Sequence, residues 1–201
     1  IGFEKISLGL FKNLALVHSI TLPIGINHIT KDISKVCSLS IDESVAIRNN
    51  IDFSFQNNQN LFDENGYLKN SYFINSSFRK ISKNLILSVV KARLDEIFDT
   101  LKKQLIVPGF NLTSKINLLL AGGGSNLFNI EKCFINFFGP NVKRVDKNNV
   151  EKDKDLETNL ASCLGALEII KDGWETEAIP ETVGKNIEKT SFFAKIFKIN
   201  K

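Results

Sequence analysis

The chain has 201 residues, 43% of them hydrophobic and 24% charged, which excludes a disordered protein and allows one large domain or two small ones. Its formal net charge of +4 does not require nucleic acid as a partner, and no basic stripe interleaved with aromatic residues predicts one. No apolar run approaches the roughly 20 residues of a membrane span, and the two histidines and three widely spaced cysteines predict no metal site.

The first segment, residues 6–25, predicts a β-hairpin. Apolar and polar residues alternate on both sides of a turn at Lys12 and Asn13, which is the pattern of two antiparallel strands. Because the chain begins at Ile1 and contains no methionine, we expect it to be part of a longer protein.

Two short helices are predicted to follow the hairpin. Within residues 27–37, Ile29, Ile33 and Val36 share one helical face. Ser40 is a candidate N-cap for the second helix, which we expect to end near residue 50.

Residues 52–77 are rich in Asn and Phe and are harder to interpret. A turn is predicted at residues 63–66, between short apolar runs that are candidate strands. Beyond them, residues 80–105 predict a long amphipathic helix with charged residues on its outer face. The predicted buried stripe of this helix consists of Leu85, Val89, Ala92, Ile97 and Leu101.

The most distinctive motif is LLLAGGGSNLFNIEKCF, residues 118–134. Three leucines predict a buried strand, and three consecutive glycines then predict a turn before a helix. The apolar residues at helical spacing are Leu127, Ile130, Phe134 and Phe137. Glycines at such a turn allow a ligand or another chain segment to touch the main chain, and a helix N-terminus offers N–H groups to an anion.

Two interpretations of this glycine turn remain open. One is a nucleotide site, and the other is a tight turn that only packs a helix against a strand. The spacing matches neither the dinucleotide fingerprint GxGxxG nor the phosphate loop GxxxxGK[ST].

The last part of the body contains a predicted short strand over residues 142–145, a charged connection and a helix over residues 156–170. Small residues in that helix, Ala161, Gly165 and Ala166, predict close packing against another element. The order of strands and helices along the chain predicts an α/β or mixed architecture.

The C-terminal sequence KTSFFAKIFKINK, residues 189–201, predicts a short amphipathic helix. At about 100° per residue, one face is apolar and the opposite face carries lysines. The apolar residues are Phe192, Phe193, Ile196, Phe197 and Ile199, and the lysines are Lys195, Lys198 and Lys201. Such helices bind anionic bilayers, although a terminal helix docked on the core is the alternative. Residues 173–188 predict a flexible linker.

Taken together, several stretches resemble the second half of the FtsA family of bacterial cell-division proteins. They are LGLFKNLALVH, LPIGINHITKDI, SKNLILSVVKARLDEIFDTLKKQL, INLLLAGGGSNLFNIEKCFINFFG and NLASCLGALEII. The resemblance extends to about residue 172. It implies the α/β, actin-like (ribonuclease H-like) fold of actin and Hsp70 ATPases, with the first lobe lying upstream of Ile1.

The resemblance also implies a domain organisation. Residues 1–35 and 115–172 would form actin-like subdomain 2A, and residues 36–114 would form an inserted α+β subdomain, 2B. Residues 173–188 would be the linker and residues 189–201 the membrane-targeting helix.

In that family the glycine turn contacts the adenosine of ATP. The resemblance implies contacts from Gly122, Gly123, Gly124 and Ser125, while Arg48 stands where the family has a lysine for the ribose and base.

The family's second phosphate loop reads DIGGGTT, and the resemblance implies a nucleotide contact from Gly2, although this chain continues with Phe3, Glu4 and Lys5. A carboxylate at Glu4 is unfavourable beside a polyphosphate. We therefore expect ATP with Mg²⁺ to bind weakly or not at all, and we predict no catalytic residue.

The resemblance implies an adaptor that works on the cytoplasmic face of the inner membrane at the division site. Its partners would be the C-terminal peptide of FtsZ, other divisome proteins, further copies of itself and the anionic membrane surface. Arg79, Lys80 and Lys83 are candidate contacts for the acidic peptide, although a solvated helix face explains them equally well. An actin-like scaffold without FtsZ, or an ATPase of the same fold, are the alternatives.

Overall fold

The computed structural model describes residues 1–12, 15–106, 117–145 and 161–171. The predicted linker and the membrane-targeting helix, with Phe192, Phe193, Lys195, Ile196, Phe197, Lys198 and Ile199, lie outside the described residues. The chain divides into two compact units, residues 1–161 and 162–201. Within the described ranges, no helix is both long and apolar enough to cross a bilayer.

The predicted hairpin is confirmed. Strands β1 (Ile6–Lys12) and β2 (Ala15–Leu22) pair antiparallel, with Ile6 opposite Leu22 and an irregularity between Leu10 and Phe11. Ile6, Leu10 and Leu22 are buried, so one face of the hairpin covers the core.

Helices α1 (Ile26–Cys37) and α2 (Ile41–Asn50) form as predicted. Ile29 and Ile33 are fully buried, but the prediction for Val36 is wrong because its side chain is 51% exposed. Cys37 continues the buried row instead, since a spacing of four residues keeps Ile29, Ile33 and Cys37 on one helical face.

Ser40 caps α2 as predicted. Its hydroxyl accepts a hydrogen bond from the Glu43 N–H at 3.2 Å, and its own N–H donates to the Glu43 carboxylate at 2.7 Å. The same buried carboxylate also accepts from the N–H groups of Ile74, Asn75 and Ser76 at 2.7–2.8 Å. Glu43 therefore fixes a distant loop to the start of α2.

The candidate strands within residues 52–77 do not form. The segment contains turns, a short 3-10 helix (Asn70–Tyr72) and isolated bridges that pair Phe62 with Leu68 and Tyr67 with Ser82. The turn at residues 63–66 is confirmed. There the Asp63 carboxylate accepts from the N–H groups of Asn65 and Tyr67, which competes with strand pairing.

The long helix α3 (Lys83–Gln104) begins three residues later than predicted, because the Ser82 hydroxyl caps it by accepting from the Leu85 N–H. The predicted stripe is partly wrong. Leu85 and Ala92 are exposed and Val89 is only partly buried, whereas Ile97 and Leu101 are buried as expected. The buried residues are Ile86, Val90, Leu94, Ile97, Phe98 and Leu101.

Strands β3 (Leu118–Leu120) and β4 (Val142–Arg144) pair in parallel, and helix α4 (Ile130–Phe138) connects them. The prediction of a fully buried strand is wrong for Leu119, which is 67% exposed, while Leu120 is buried. Helix α5 (Ala161–Lys171) begins at the last residue of the first unit and supplies the described residues of the second unit.

One continuous core joins the hairpin, α1, α3 and α4. It includes fully buried isoleucines of α1 and α3 and an aromatic cluster in which the Phe98 ring meets the rings of Phe134, Phe137 and Phe138. A bidentate ion pair between Arg93 of α3 and Asp32 of α1 joins those two helices. The α/β class predicted from the sequence is confirmed.

Candidate functional site

The glycine turn is built around Gly122. Its φ of 86° lies in a region that only glycine adopts without strain. The carbonyl of Gly122 accepts from both the Ser125 hydroxyl, at 2.7 Å, and the Ser125 N–H, at 2.9 Å. The turn leads into a 3-10 helix (Gly123–Asn126), and α4 begins six residues beyond Gly124. The sequence predicted a helix that starts directly after the glycines, and that position is wrong.

Two of the three glycines are covered by the first residue of the chain. The Ile1 nitrogen donates to the Ala121 carbonyl at 2.5 Å, and the Gly124 N–H donates to the Ile1 carbonyl at 3.0 Å. A Cβ atom on Gly122 would lie 2.7 Å from the Ile1 carbonyl oxygen, and one on Gly124 would lie 2.4 Å from the Ile1 side chain. At these two positions the packing interpretation of the turn is sufficient.

Gly123 is different because Ile1 does not cover it, although it lines the same open cavity as Gly124. A Cβ atom there would have no heavy atom within 4 Å. The cavity has a volume of about 450 Å³, within the range of roughly 300–1,000 Å³ that is typical of small-molecule pockets. Its lining includes Phe3, Ile26, Arg48, Asn49, Gly123 and Phe128.

Arg48 supplies a buried cation to this cavity. The side chain is 8% exposed, and its guanidinium donates to the Thr30 hydroxyl at 2.9 Å and to the Asn49 amide oxygen at 2.8 Å. Burial lowers its pKa, but a guanidinium stays charged. Within the described part of the chain no carboxylate forms an ion pair with it. Polar or anionic ligand groups are suited to such a cation.

Phe128 adds an aromatic ring that is 60% exposed at the cavity. Its carbonyl accepts from the Phe53 N–H at 3.1 Å, and the next residue, Asn129, donates from its side chain to the buried Asp52 carboxylate at 2.9 Å. Neither Phe128 nor Asp52 was predicted from the sequence. The signal available in the sequence was the asparagine at position 129, because asparagine tolerates the positive φ, 59°, that this residue has in the structure.

The loop of residues 2–5 packs against the start of α1. The N–H groups of Ile26 and Asn27 donate to the carbonyls of Gly2 and Phe3, at 3.1 and 2.8 Å. The Glu4 carboxylate accepts from the Asn27 amide at 2.6 Å and from the Lys31 ammonium at 3.4 Å, and the hydrogen bond from Asn27 holds the Glu4 pKa below its usual value.

The structure therefore brings together some, but not all, of the predicted nucleotide contacts. Gly123, Gly124 and Arg48 line the cavity, whereas Gly2, Gly122 and Ser125 are not part of its lining.

The three predicted peptide contacts have three different surroundings. Arg79 and Lys80 precede α3, so only Lys83 lies on the helix as predicted. The Arg79 guanidinium donates to the carbonyls of Cys37 and Ser38 at the end of α1. The Lys80 ammonium lies 5.6 Å from the centroid of the Tyr67 ring, and Lys83 borders a second cavity of about 640 Å³.

Solved structures with the same fold belong to actin-like proteins. MreB5 of Spiroplasma citri bound to AMPPNP matches with 19% identity and a TM-score of 0.56, over 88% of this chain and 54% of that chain. A PilM–PilN type IV pilus biogenesis complex matches with 18% identity and a TM-score of 0.54, over 84% of this chain and 44% of that chain. The fold is thus that of the actin-like ATPases, and the chain spans about half the length of these relatives.

The family model for the cell division protein FtsA matches residues 1–165. The chain belongs to the FtsA family, as the sequence resemblance implied. A search of curated proteins finds no match.

Proposed function

We propose that the chain is part of an actin-like adaptor that tethers FtsZ filaments to the cytoplasmic face of the inner membrane and helps to assemble the divisome. The observation that carries this proposal is the match of residues 1–165 to a family of cell-division proteins. Self-assembly would strengthen membrane attachment, because linked copies together bind the membrane with a higher overall affinity than one copy does.

The membrane part of the proposal rests on residues 189–201. Their apolar face and their lysines are suited to an anionic bilayer surface. A single short helix binds only marginally, so we propose reversible attachment that depends on clustering.

The FtsZ part of the proposal concerns the surface near the start of α3. Lys80 and Lys83 supply positive charge for an acidic tail peptide. Arg79 already donates to the carbonyls that end α1, so we assign it a structural contribution in addition to the proposed contact with the peptide.

The nucleotide part of the proposal concerns the cavity at Gly123. Its volume, the Phe128 ring and the Arg48 guanidinium suit the base and ribose of a nucleotide. The Gly2–Lys5 loop does not suit a polyphosphate with Mg²⁺, since its glycines are replaced by Phe3 and Glu4. No hydrolytic step is proposed.

Flotation with anionic liposomes tests the adaptor. We expect the 201-residue chain to float and added salt to weaken its binding, whereas a chain ending at Gly184 and a Phe193→Glu/Phe197→Glu variant stay in solution. Phe193→Leu/Phe197→Leu is the matched control, because it keeps the apolar face.

Binding of an FtsZ C-terminal peptide, measured by fluorescence anisotropy, tests the partner. Lys80→Glu/Lys83→Glu should weaken binding, while Lys91→Glu on the exposed face of α3 should not. If neither lipid nor peptide binds, the adaptor proposal fails and an actin-like scaffold without FtsZ becomes the better explanation.

A further inference from the structure

The cavity at Gly123 is bordered by the loop that stands where the family has its second phosphate loop, and by the start of α1, on which that loop packs. Phe3 of the loop and Ile26 of α1 both line it. Phosphates are bound by backbone N–H groups, by hydroxyls and by cations, so the donors available at this end decide which ligands fit.

The backbone donors at the start of α1 are already used. The Ile26 N–H donates to the Gly2 carbonyl, the Asn27 N–H to the Phe3 carbonyl and the His28 N–H to the Gly25 carbonyl, all within 3.1 Å. The helix N-terminus therefore presents satisfied N–H groups, which removes the usual advantage of such a position for an anion.

The side-chain donors of this helix start are also used, and by a carboxylate. The Asn27 amide and the Lys31 ammonium both donate to the same oxygen of Glu4, at 2.6 and 3.4 Å. An exposed pair of this kind contributes little to stability. Its importance lies in its position, because Glu4 and Asn27 directly follow Phe3 and Ile26 of the cavity lining, and the carboxylate already binds the side-chain donors next to that lining.

The loop is held closely against the helix. A Cβ atom on Gly25 would lie 2.4 Å from the Phe3 carbonyl oxygen and 2.6 Å from the Lys5 nitrogen. The Gly2 N–H also closes the loop by donating to the Lys5 carbonyl at 2.9 Å. Withdrawal of the loop would break these hydrogen bonds, so it does not open merely by a change of side-chain rotamer.

We propose that this cavity binds a nucleoside that carries no polyphosphate chain, because Glu4 acts as a built-in anion on the donors at the start of α1. The inference rests on the nucleoside cavity proposed above and narrows its ligand class. Arg48, Gly123 and Phe128 would contact the nucleoside, and the Gly2–Lys5 loop would discriminate against the triphosphate.

Calorimetric titration of the 201-residue chain with adenosine, and separately with ATP plus Mg²⁺, tests this inference. We expect adenosine to bind at least about tenfold more tightly than ATP, a difference of about 1.4 kcal/mol. Glu4→Gln and Glu4→Ala should tighten ATP binding and leave the adenosine affinity unchanged. Glu64→Gln, at an exposed turn, is the control and should change neither.

The outcomes separate this inference from the proposal on which it rests. If ATP binds as tightly as adenosine to the unmodified chain, the inference is wrong and the nucleotide cavity stands. Unchanged ATP affinity in both Glu4 variants would equally overturn it. If neither ligand binds, the cavity proposal itself is wrong, and the inference is lost with it.

Discussion

Individual residues of the glycine turn have separable tasks. Gly122 has a backbone conformation reserved for glycine and touches Ile1, whereas Gly123 borders the cavity and has open space where a Cβ would lie. The sequence identified all three glycines as special but could not separate them, because their tasks depend on Ile1, which is more than a hundred residues away in the chain.

Alanine substitutions distinguish these tasks. Gly122→Ala should lower the free energy of unfolding by roughly 1–3 kcal/mol, the cost of a side chain in such a backbone region. Gly123→Ala should change the free energy of unfolding by less than about 0.5 kcal/mol relative to the unmodified chain. It should weaken adenosine binding, because the methyl group enters the cavity. Urea unfolding and calorimetry measure the two effects. Equal loss of stability in both variants would contradict this assignment.

Glu43 is the other residue whose contribution is well defined. Although burial raises its pKa, the hydrogen bonds from Ser76, Ser40 and Asn75 hold the net pKa well below the ordinary value of 4.5. A carboxylate with a depressed pKa stabilises the fold above its unfolded-state pKa, and this stabilisation is lost progressively as the pH falls toward the folded-state value.

Glu43→Gln should lower the free energy of unfolding at neutral pH by about 2 kcal/mol, because the amide replaces a charged, buried acceptor that serves several part-buried donors. The variant should also lose less stability than the unmodified chain as the pH falls below 4.5. Urea unfolding at several pH values between neutral and acidic measures both effects, with Glu64→Gln as the exposed control. Parallel pH profiles for the three proteins would refute this account.

At the scale of elements, periodic patterns predicted the existence of the hairpin, α1, α2 and α3 but not which residues face inward. On α3, three of the five residues assigned to the buried stripe are not buried. The buried row follows a spacing of four residues (Ile86, Val90, Leu94 and Phe98), and the sequence pattern did not separate it from the adjacent apolar positions. The candidate strands of residues 52–77 failed for another reason. Side chains such as Asp63 bind the backbone locally, and apolar runs do not reveal this competition.

Two leucines of α3 test the observed burial. Leu94→Ala should cost about 2–5 kcal/mol of stability, the usual range for a buried leucine that leaves a cavity. Leu85→Ala, on the exposed side, should cost less than about 1 kcal/mol, because little apolar surface returns to water. Thermal or urea unfolding measures the loss of stability in each variant. A larger loss for Leu85→Ala than for Leu94→Ala would contradict the observed burial and favour the stripe predicted from the sequence.

At the scale of the whole molecule, the fold class and the family were predicted from sequence, since long motifs carry that information. The division of residues 1–35, 36–114 and 115–172 into subdomains 2A and 2B stays a prediction. In the structure, one hydrophobic core runs through residues 6–142 and joins elements from both predicted subdomains.

A shared core has a consequence for unfolding. We expect residues 1–161 to unfold in a single cooperative transition, because elements that bury the same apolar surface lose it together. Far-ultraviolet circular dichroism and hydrogen exchange of α3 amides, from predicted 2B, and of α4 amides, from predicted 2A, should report the same midpoint in urea. Separate midpoints would indicate that 2A and 2B are independent folding units.

The hydrogen bonds behind Phe128 tie the cavity to a part of the chain that does not line it. Because the Phe53 N–H holds the Phe128 carbonyl and the Asp52 carboxylate holds Asn129, movement of the segment after α2 displaces the aromatic wall. Free-energy coupling between two sites is reciprocal. A molecule bound against the Phe128 ring and a partner bound to residues 52–58 would therefore change each other's affinity by the same factor.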